Sequence, residues 1–126
     1  ADTIVYYEGH IFPKPRSEEE AFTFFKKLSG SWHTVYTGVA VRHGNKARCE
    51  YETTRVRFNV LTDAQIRLFH ATLNTHDKAG GYTLQGIGSL LCEKIEGCYY
   101  NVMGLPINTT ARLLNYIGID LWDHLS

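Results

Sequence analysis

Nothing in this 126-residue chain approaches the run of about 20 apolar residues that a membrane-crossing helix needs. No excess of either charge is present: 13 Lys and Arg stand against 13 Asp and Glu, a formal net charge of zero. A general binder of nucleic acid or of anionic membrane surfaces carries a basic excess, so both classes are excluded, while a local cationic pocket for a small polyphosphate is not. Cysteine is scarce. Cys49, Cys92 and Cys98 show no CxxC spacing, and their odd number reads as reduced and cytosolic, with neither a disulfide framework nor a structural zinc. The six histidines include no pair at HxxxH spacing, so none is assigned to a metal. GxSxG, P-loop and Rossmann fingerprints are missing too. The start has neither a signal-peptide pattern nor a Met. It opens directly in strand-like sequence at Ala1-Asp2-Thr3-Ile4-Val5, and the expectation is a single domain over residues 1–126 that lacks its N-terminal segment.

What is present concentrates in Asp77-Lys78-Ala79-Gly80-Gly81-Tyr82-Thr83-Leu84-Gln85-Gly86-Ile87-Gly88. Four glycines allow close backbone approach and sharp turns. Lys78 can meet a phosphate as a point charge, and Gln85 can offer one donor and one acceptor to a base edge. A core strand needs none of these groups, so the stretch reads as a nucleotide-contacting loop, with an ordinary Gly-rich surface turn as the alternative.

Around it, the pattern predicts an α/β domain with a mixed sheet. Thr3–Tyr7 is β-branched and aromatic, a strand, followed by a turn at Glu8-Gly9-His10 and a short strand at Ile11-Phe12. Ser17 and Glu20 form a capping-box pattern that opens a helix with Phe22, Phe25 and Leu28 as its apolar stripe and Gly30 as its stop. Trp32–Val41 and Ala47–Val60 form a long hairpin about His43-Gly44-Asn45-Lys46, with Val35, Val39 and Val41 toward the core. Thr62 and Gln65 cap a short helix to about His70. Gly88–Ile95 reads as a strand, and Pro106–Tyr116 as an amphipathic helix ended by Gly118. The sequon Asn108-Thr109-Thr110 falls inside that helix and reads as a chance match.

Few side chains stand out as carriers of chemistry. Asp2, at the edge of the first strand, can act as a general base or hold a divalent metal; a solvated terminal Asp is the plainer reading. Lys14 is held extended between Pro13 and Pro15, which suits a cation placed beside phosphates, although loop lysines are common. Glu50 and Glu52 share a strand face, more simply an exposed hairpin face than a carboxylate pair. His33 is expected in or near the core.

Taken together, these segments resemble the Maf family of nucleoside triphosphate pyrophosphatases. The resemblance rests on Ala1-Asp2-Thr3-Ile4-Val5, Pro13-Lys14-Pro15, Leu28-Ser29-Gly30 with His33 and Thr37-Gly38-Val39-Ala40, Asp77-Lys78-Ala79-Gly80 through Gln85-Gly86, and Ile95-Glu96-Gly97 with Tyr99-Tyr100-Asn101-Val102-Met103-Gly104-Leu105-Pro106. These occur in the family's order and cover nearly the whole chain. The resemblance implies a Maf/inosine-triphosphatase-like architecture, hydrolysis of a nucleoside triphosphate to monophosphate and pyrophosphate, a divalent cation (Mg2+ or Mn2+), nucleotide-pool cleansing in the cytoplasm, and a homodimer. By it, Asp2 matches the proton-accepting acid and metal ligand, Lys14 and Lys78 look like phosphate-binding lysines, and Thr3 and Gln85 match positions tied to substrate choice. The Asp-Thr and Gln combination is similar to the dTTP/UTP branch. A branch acting on 7-methyl-GTP or a non-canonical purine triphosphate is the second reading, and a non-catalytic nucleotide-binding regulatory module the third. Ser31 stands where the family often has Arg, and Cys98 where it often has an acid; the family's N-terminal Ser-rich loop ending in Pro-Arg-Arg, and a further acid downstream, are not in this sequence.

Overall fold

Turn chemistry decides how the first strands are laid down. Glu8 and Gly9 both adopt positive φ (46° and 82°), the geometry that joins antiparallel strands through two residues without splaying them. They connect β1 (Asp2–Tyr7) to β2 (His10–Phe12), with Tyr7 opposite His10. The computed structural model describes residues 1–125, and the rest of the elements follow as α1 (Glu18–Leu28), β3 (Trp32–His43), β4 (Lys46–Phe58), α2 (Asp63–Thr72), β5 (Cys92–Glu96), α3 (Tyr99–Val102) and α4 (Ile107–Tyr116). Short 3₁₀ turns occupy Ala79–Gly81, Gly86–Leu91 and Leu121–His124.

The five strands form one sheet in the order β2-β1-β3-β4-β5. The α/β class, the long β3–β4 hairpin and the flanking helices are as expected. The sheet is not mixed: all four pairings among the described residues are antiparallel. β2 and β3 lie on either side of β1 and run parallel to each other, joined by a crossover through α1, but β1 separates them, so no two neighbouring strands are parallel.

One sheet face is apolar and collects the helices. Val5, Phe12, Val35, Val56 and Phe58 meet Phe24, Phe25 and Leu28 of α1 and Ile66 and Phe69 of α2 in one buried cluster. Burying each such side chain is worth about 1.5–3 kcal/mol, so this layer is the principal favourable contribution to the fold. Helix α1 is capped by Ser17, whose hydroxyl accepts from the Glu20 amide at 3.1 Å. Glu20 does not complete the expected box. Its carboxylate turns to Arg16, accepting from the backbone amide at 3.2 Å and the guanidinium at 3.1 Å. At Thr62 both halves of the capping box are present. The apolar stripe of α1 is rotated from expectation: Ala21 and Phe24 are buried, while Phe22 is half-buried beneath the Arg67 guanidinium. Val41, expected in the core, is half-buried near the hairpin tip.

The segment 88–95 departs most from expectation. Gly86 turns at φ 56°, and a Cβ on Gly88 would sit 1.9 Å from the Thr83 carbonyl oxygen. The chain therefore coils through Gly86–Leu91 and becomes a strand only at Cys92. β4 ends at Phe58, just beyond a register irregularity at Arg57/Phe58, and the Asn59 amide donates to the Leu91 carbonyl at 2.8 Å. None of the helices among the described residues is long and apolar enough to cross a membrane.

Candidate active site

β2 pairs only with Val5–Tyr7, so the Asp2–Ile4 half of β1 has no strand on that side among the described residues. Two loops gather beside it. The first is Pro13-Lys14-Pro15. The second is the Gly-rich segment, which turns at Gly80 and Gly81 with φ 70° and 82°. The Gly80 amide donates to the Pro13 carbonyl at 3.1 Å, tying the loop of Lys78 to the loop of Lys14. A Cβ on Gly80 would press on Val5 at 3.1 Å, and one on Gly81 on Pro15 at 3.2 Å. Only glycine combines those positive φ values with that proximity. Thr75 closes the segment from behind by donating to the Gly81 carbonyl.

The result is a cleft of about 310 Å³ bordered by Asp2, Thr3, Lys14, Lys78 and Gln85, the five residues singled out in the sequence. Asp77, Thr83, Met103 and Gly104 are among the other lining residues, with the apolar Val5 and Val35. Apart from Val35, expected toward the core, the sequence reading gave none of these last residues a task of its own. Asp77 stood in the quoted stretch without a task, and Met103-Gly104 is brought in by α3, whose single turn has no caps to announce it.

The ammonium of Lys78 lies 4.0 Å from the Asp77 carboxylate, both groups more than half exposed. Such a pair contributes about 0–1 kcal/mol, too little to withhold the lysine from an anion. Lys14 makes no ion pair among the described residues. Two cations, two carboxylates and a glutamine amide thus share one opening with apolar side chains.

Tyr82 corrects the simple loop reading. It does not reach out to a ligand: it is 6% exposed, its hydroxyl 2.6 Å from His33 Nε2. Leu84 is buried as well. The Gly-rich segment is anchored in the core by alternate residues and shows Lys78, Thr83 and Gln85 to the cleft. His33 is buried as expected, and desolvation pulls its pKa down to about 4. The same burial pushes the Tyr82 phenol far above its ordinary range. The pair is neutral and structural. Glu50 and Glu52 do share a face, but that face is covered. Glu50 pairs with Arg112 at 3.1 Å and Glu52 accepts from Thr109 at 3.3 Å, holding α4 to the sheet.

The donor set also bears on a divalent cation. Asp2 and Asp77 are the carboxylates of the cleft, and the described residues contain no group of three His, Cys, Asp or Glu side chains placed to enclose a metal. Mg2+ is commonly held by one or two carboxylates together with substrate phosphates and water. The residues fit a cation that arrives with a polyphosphate, and do not form a closed protein cage.

The pattern of the family described as Maf-like protein matches residues 1–117. The chain belongs to the Maf-like protein family. Among its relatives, the dTTP/UTP pyrophosphatase of Caldicellulosiruptor bescii is 46% identical over 123 residues, covering 96% of this chain and 62% of that protein. The dTTP/UTP pyrophosphatase of Clostridium tetani is 43% identical over 96% of this chain and 64% of its own length. The nucleoside triphosphate pyrophosphatase of Chlamydia muridarum is 40% identical over all of this chain and 64% of its own length. This Maf-like chain therefore spans less than two thirds of the length of these relatives.

Proposed function

We propose that the protein carrying this chain hydrolyses dTTP- and UTP-type nucleoside triphosphates to the monophosphate and pyrophosphate. The observation that carries the reading is the convergence of Asp2, Thr3, Lys14, Lys78 and Gln85 on one cleft. The names of the relatives support it.

Each side chain has a task that its chemistry allows. Asp2 takes a proton from the attacking water as the new bond to the α-phosphorus forms and the bridge to the β-phosphate breaks; the electron pair of that bridge leaves on pyrophosphate. Lys14 and Lys78 offset the charge of the triphosphate and of the departing pyrophosphate. Gln85 and Thr3 face the base. A divalent cation, Mg2+ or Mn2+, held by Asp2 and the substrate's own phosphates, supplies charge neutralisation at the reacting phosphorus when bound. Cys49, Cys92 and Cys98 are all free thiols, which supports a reducing, cytoplasmic setting.

The test is product analysis of the protein at its native length, with UTP, dTTP, CTP, 7-methyl-GTP and ITP in Mg2+ or Mn2+. Pyrophosphate without orthophosphate, fastest from UTP and dTTP, is expected. Orthophosphate release, or no turnover across the panel, contradicts the reading. A purine ranking first keeps the reaction but moves the substrate.

A further inference from the structure

Gln85 by itself cannot tell uracil from cytosine. Uracil and thymine show a carbonyl beside a ring N–H; cytosine shows an amino group beside a bare ring nitrogen. A glutamine amide satisfies either edge by turning over, since its oxygen and nitrogen exchange places. No hydrogen bond to another described residue fixes the Gln85 side chain; only its backbone is held, the amide by Thr83 and the carbonyl by the Gly88 amide. A hydroxyl free to donate or accept would be equally tolerant. Selectivity within the pyrimidines needs a group whose hydrogen-bonding sense is fixed.

Thr3 is such a group because of what lies behind it. Strand register puts Thr3 opposite Thr37, with their hydroxyl oxygens 2.8 Å apart. Thr37 is fully buried, and its hydroxyl also lies 3.2 Å from the Asn101 backbone carbonyl oxygen. A carbonyl only accepts, so Thr37 donates its one proton there. It must then receive from Thr3, whose own single proton is thereby used. The Asn101 carbonyl is held in place by the side chain of the same residue, which donates to Val35 O at 3.2 Å and Thr54 Oγ1 at 2.8 Å. The oxygen that Thr3 turns to the cleft is left with lone pairs only.

We infer that Thr37 is a positioning residue which, by consuming the proton of Thr3, makes Thr3 a fixed acceptor and so selects nucleotides presenting a ring N–H, uracil and thymine, against cytosine. The inference rests on the reading of the cleft as a pyrimidine nucleoside triphosphate site.

Thr37→Val removes the buried hydroxyl at nearly constant shape. The Asn101 carbonyl keeps a partner, because the Gly104 amide also donates to it at 2.9 Å. The Thr3 hydroxyl is then free to donate to a bare ring nitrogen. The experiment measures kcat/KM for UTP and CTP, and in parallel calorimetric binding of their non-hydrolysable α,β-imido analogues, for the native-length protein, Thr37→Val, Thr37→Ser, Thr3→Val and the double Thr3→Val/Thr37→Val variant. The wild type is expected to favour uracil, and Thr37→Val to lose roughly tenfold of that preference, mainly by gaining on CTP. Thr37→Ser should restore it, and Thr37→Val should add nothing once Thr3 is Val. If Thr37→Val does not fold, Thr37→Cys replaces it. A wild-type ratio in Thr37→Val, or an equal loss toward both nucleotides, overturns the inference. If no nucleotide is turned over but the analogues bind with the stated pattern, the proposed reaction fails and the role of Thr37 stands. If the wild type does not distinguish the two analogues, the role of Thr37 fails with it.

Discussion

Acidification should destabilise this protein through His33. Its ring is 3% exposed, meets Phe58 and Tyr82 edge to face at 5.1 and 5.5 Å, and keeps one polar contact, the Tyr82 hydroxyl on Nε2. Nδ1 is buried without a partner among the described residues. A charged imidazole there would lose hydration with nothing in return, and burial accordingly depresses its pKa from 6.5 to about 4. The folded state holds the neutral ring and the unfolded chain binds the proton more readily. The stabilisation is therefore complete above pH 6.5 and lost as the pH falls toward 4. A difference of that size corresponds to about 3 kcal/mol, a large part of the 5–15 kcal/mol typical of a domain. His70 moves in the same sense, lowered by burial and by neighbouring His76 and opposed by Glu18, so the wild-type curve alone is ambiguous. Urea unfolding from about pH 8 to pH 4.5 should be run on the wild type and on His33→Gln, which can still bond Tyr82 but does not titrate. The variant is expected to be less stable at pH 8 and to lose about 2–3 kcal/mol less across the range. Parallel curves for the two proteins would refute the assignment.

Other perturbations act on the cleft directly. Asp2→Asn should lower turnover roughly a hundred- to ten-thousand-fold while leaving the unfolding midpoint unchanged, and near-normal kcat would remove Asp2 as the base. Lys14→Ala and Lys78→Ala should weaken triphosphate binding more than monophosphate binding in calorimetry; equal effects on both would make that lysine an ordinary surface residue. Gly88→Ala places a methyl against the Thr83 carbonyl oxygen 1.9 Å away, so a loss of about 2 kcal/mol or more is expected in urea unfolding, with a raised KM as the Gln85 turn shifts. An unchanged midpoint would show that this turn relaxes freely.

The sequence carried most of the element order, because its punctuation is chemical. Ser17 and Thr62 do cap helices, Gly44-Asn45 does turn the hairpin, and the first four strands lie close to their expected bounds. Where a competing local interaction existed, pattern alone misled. Glu20 had Arg16 within reach and took it in preference to completing the box. The stretch after Gly86 looked apolar enough for a strand, yet Gly88 is needed for a turn too tight for a side chain. The five site residues were read mostly from a resemblance, and the cleft that joins them depends on long-range contacts such as Gly80 to Pro13 that no periodicity reveals. Tyr82 turns inward to His33, a partner 49 positions away that no local pattern announces. The Thr3–Thr37–Asn101 chain has no sequence signature either, being set by strand register and by a one-turn helix.

The central claim is attack of water on the α-phosphorus with pyrophosphate as the leaving group. Hydrolysis of UTP in 18O-labelled water, followed by mass spectrometry and 31P NMR of the products, tests it most directly. The account predicts one label per turnover in UMP and none in pyrophosphate. Label in pyrophosphate, or in orthophosphate beside UDP, would place the cut elsewhere in the chain of phosphates and contradict the roles given to Asp2, Lys14 and Lys78.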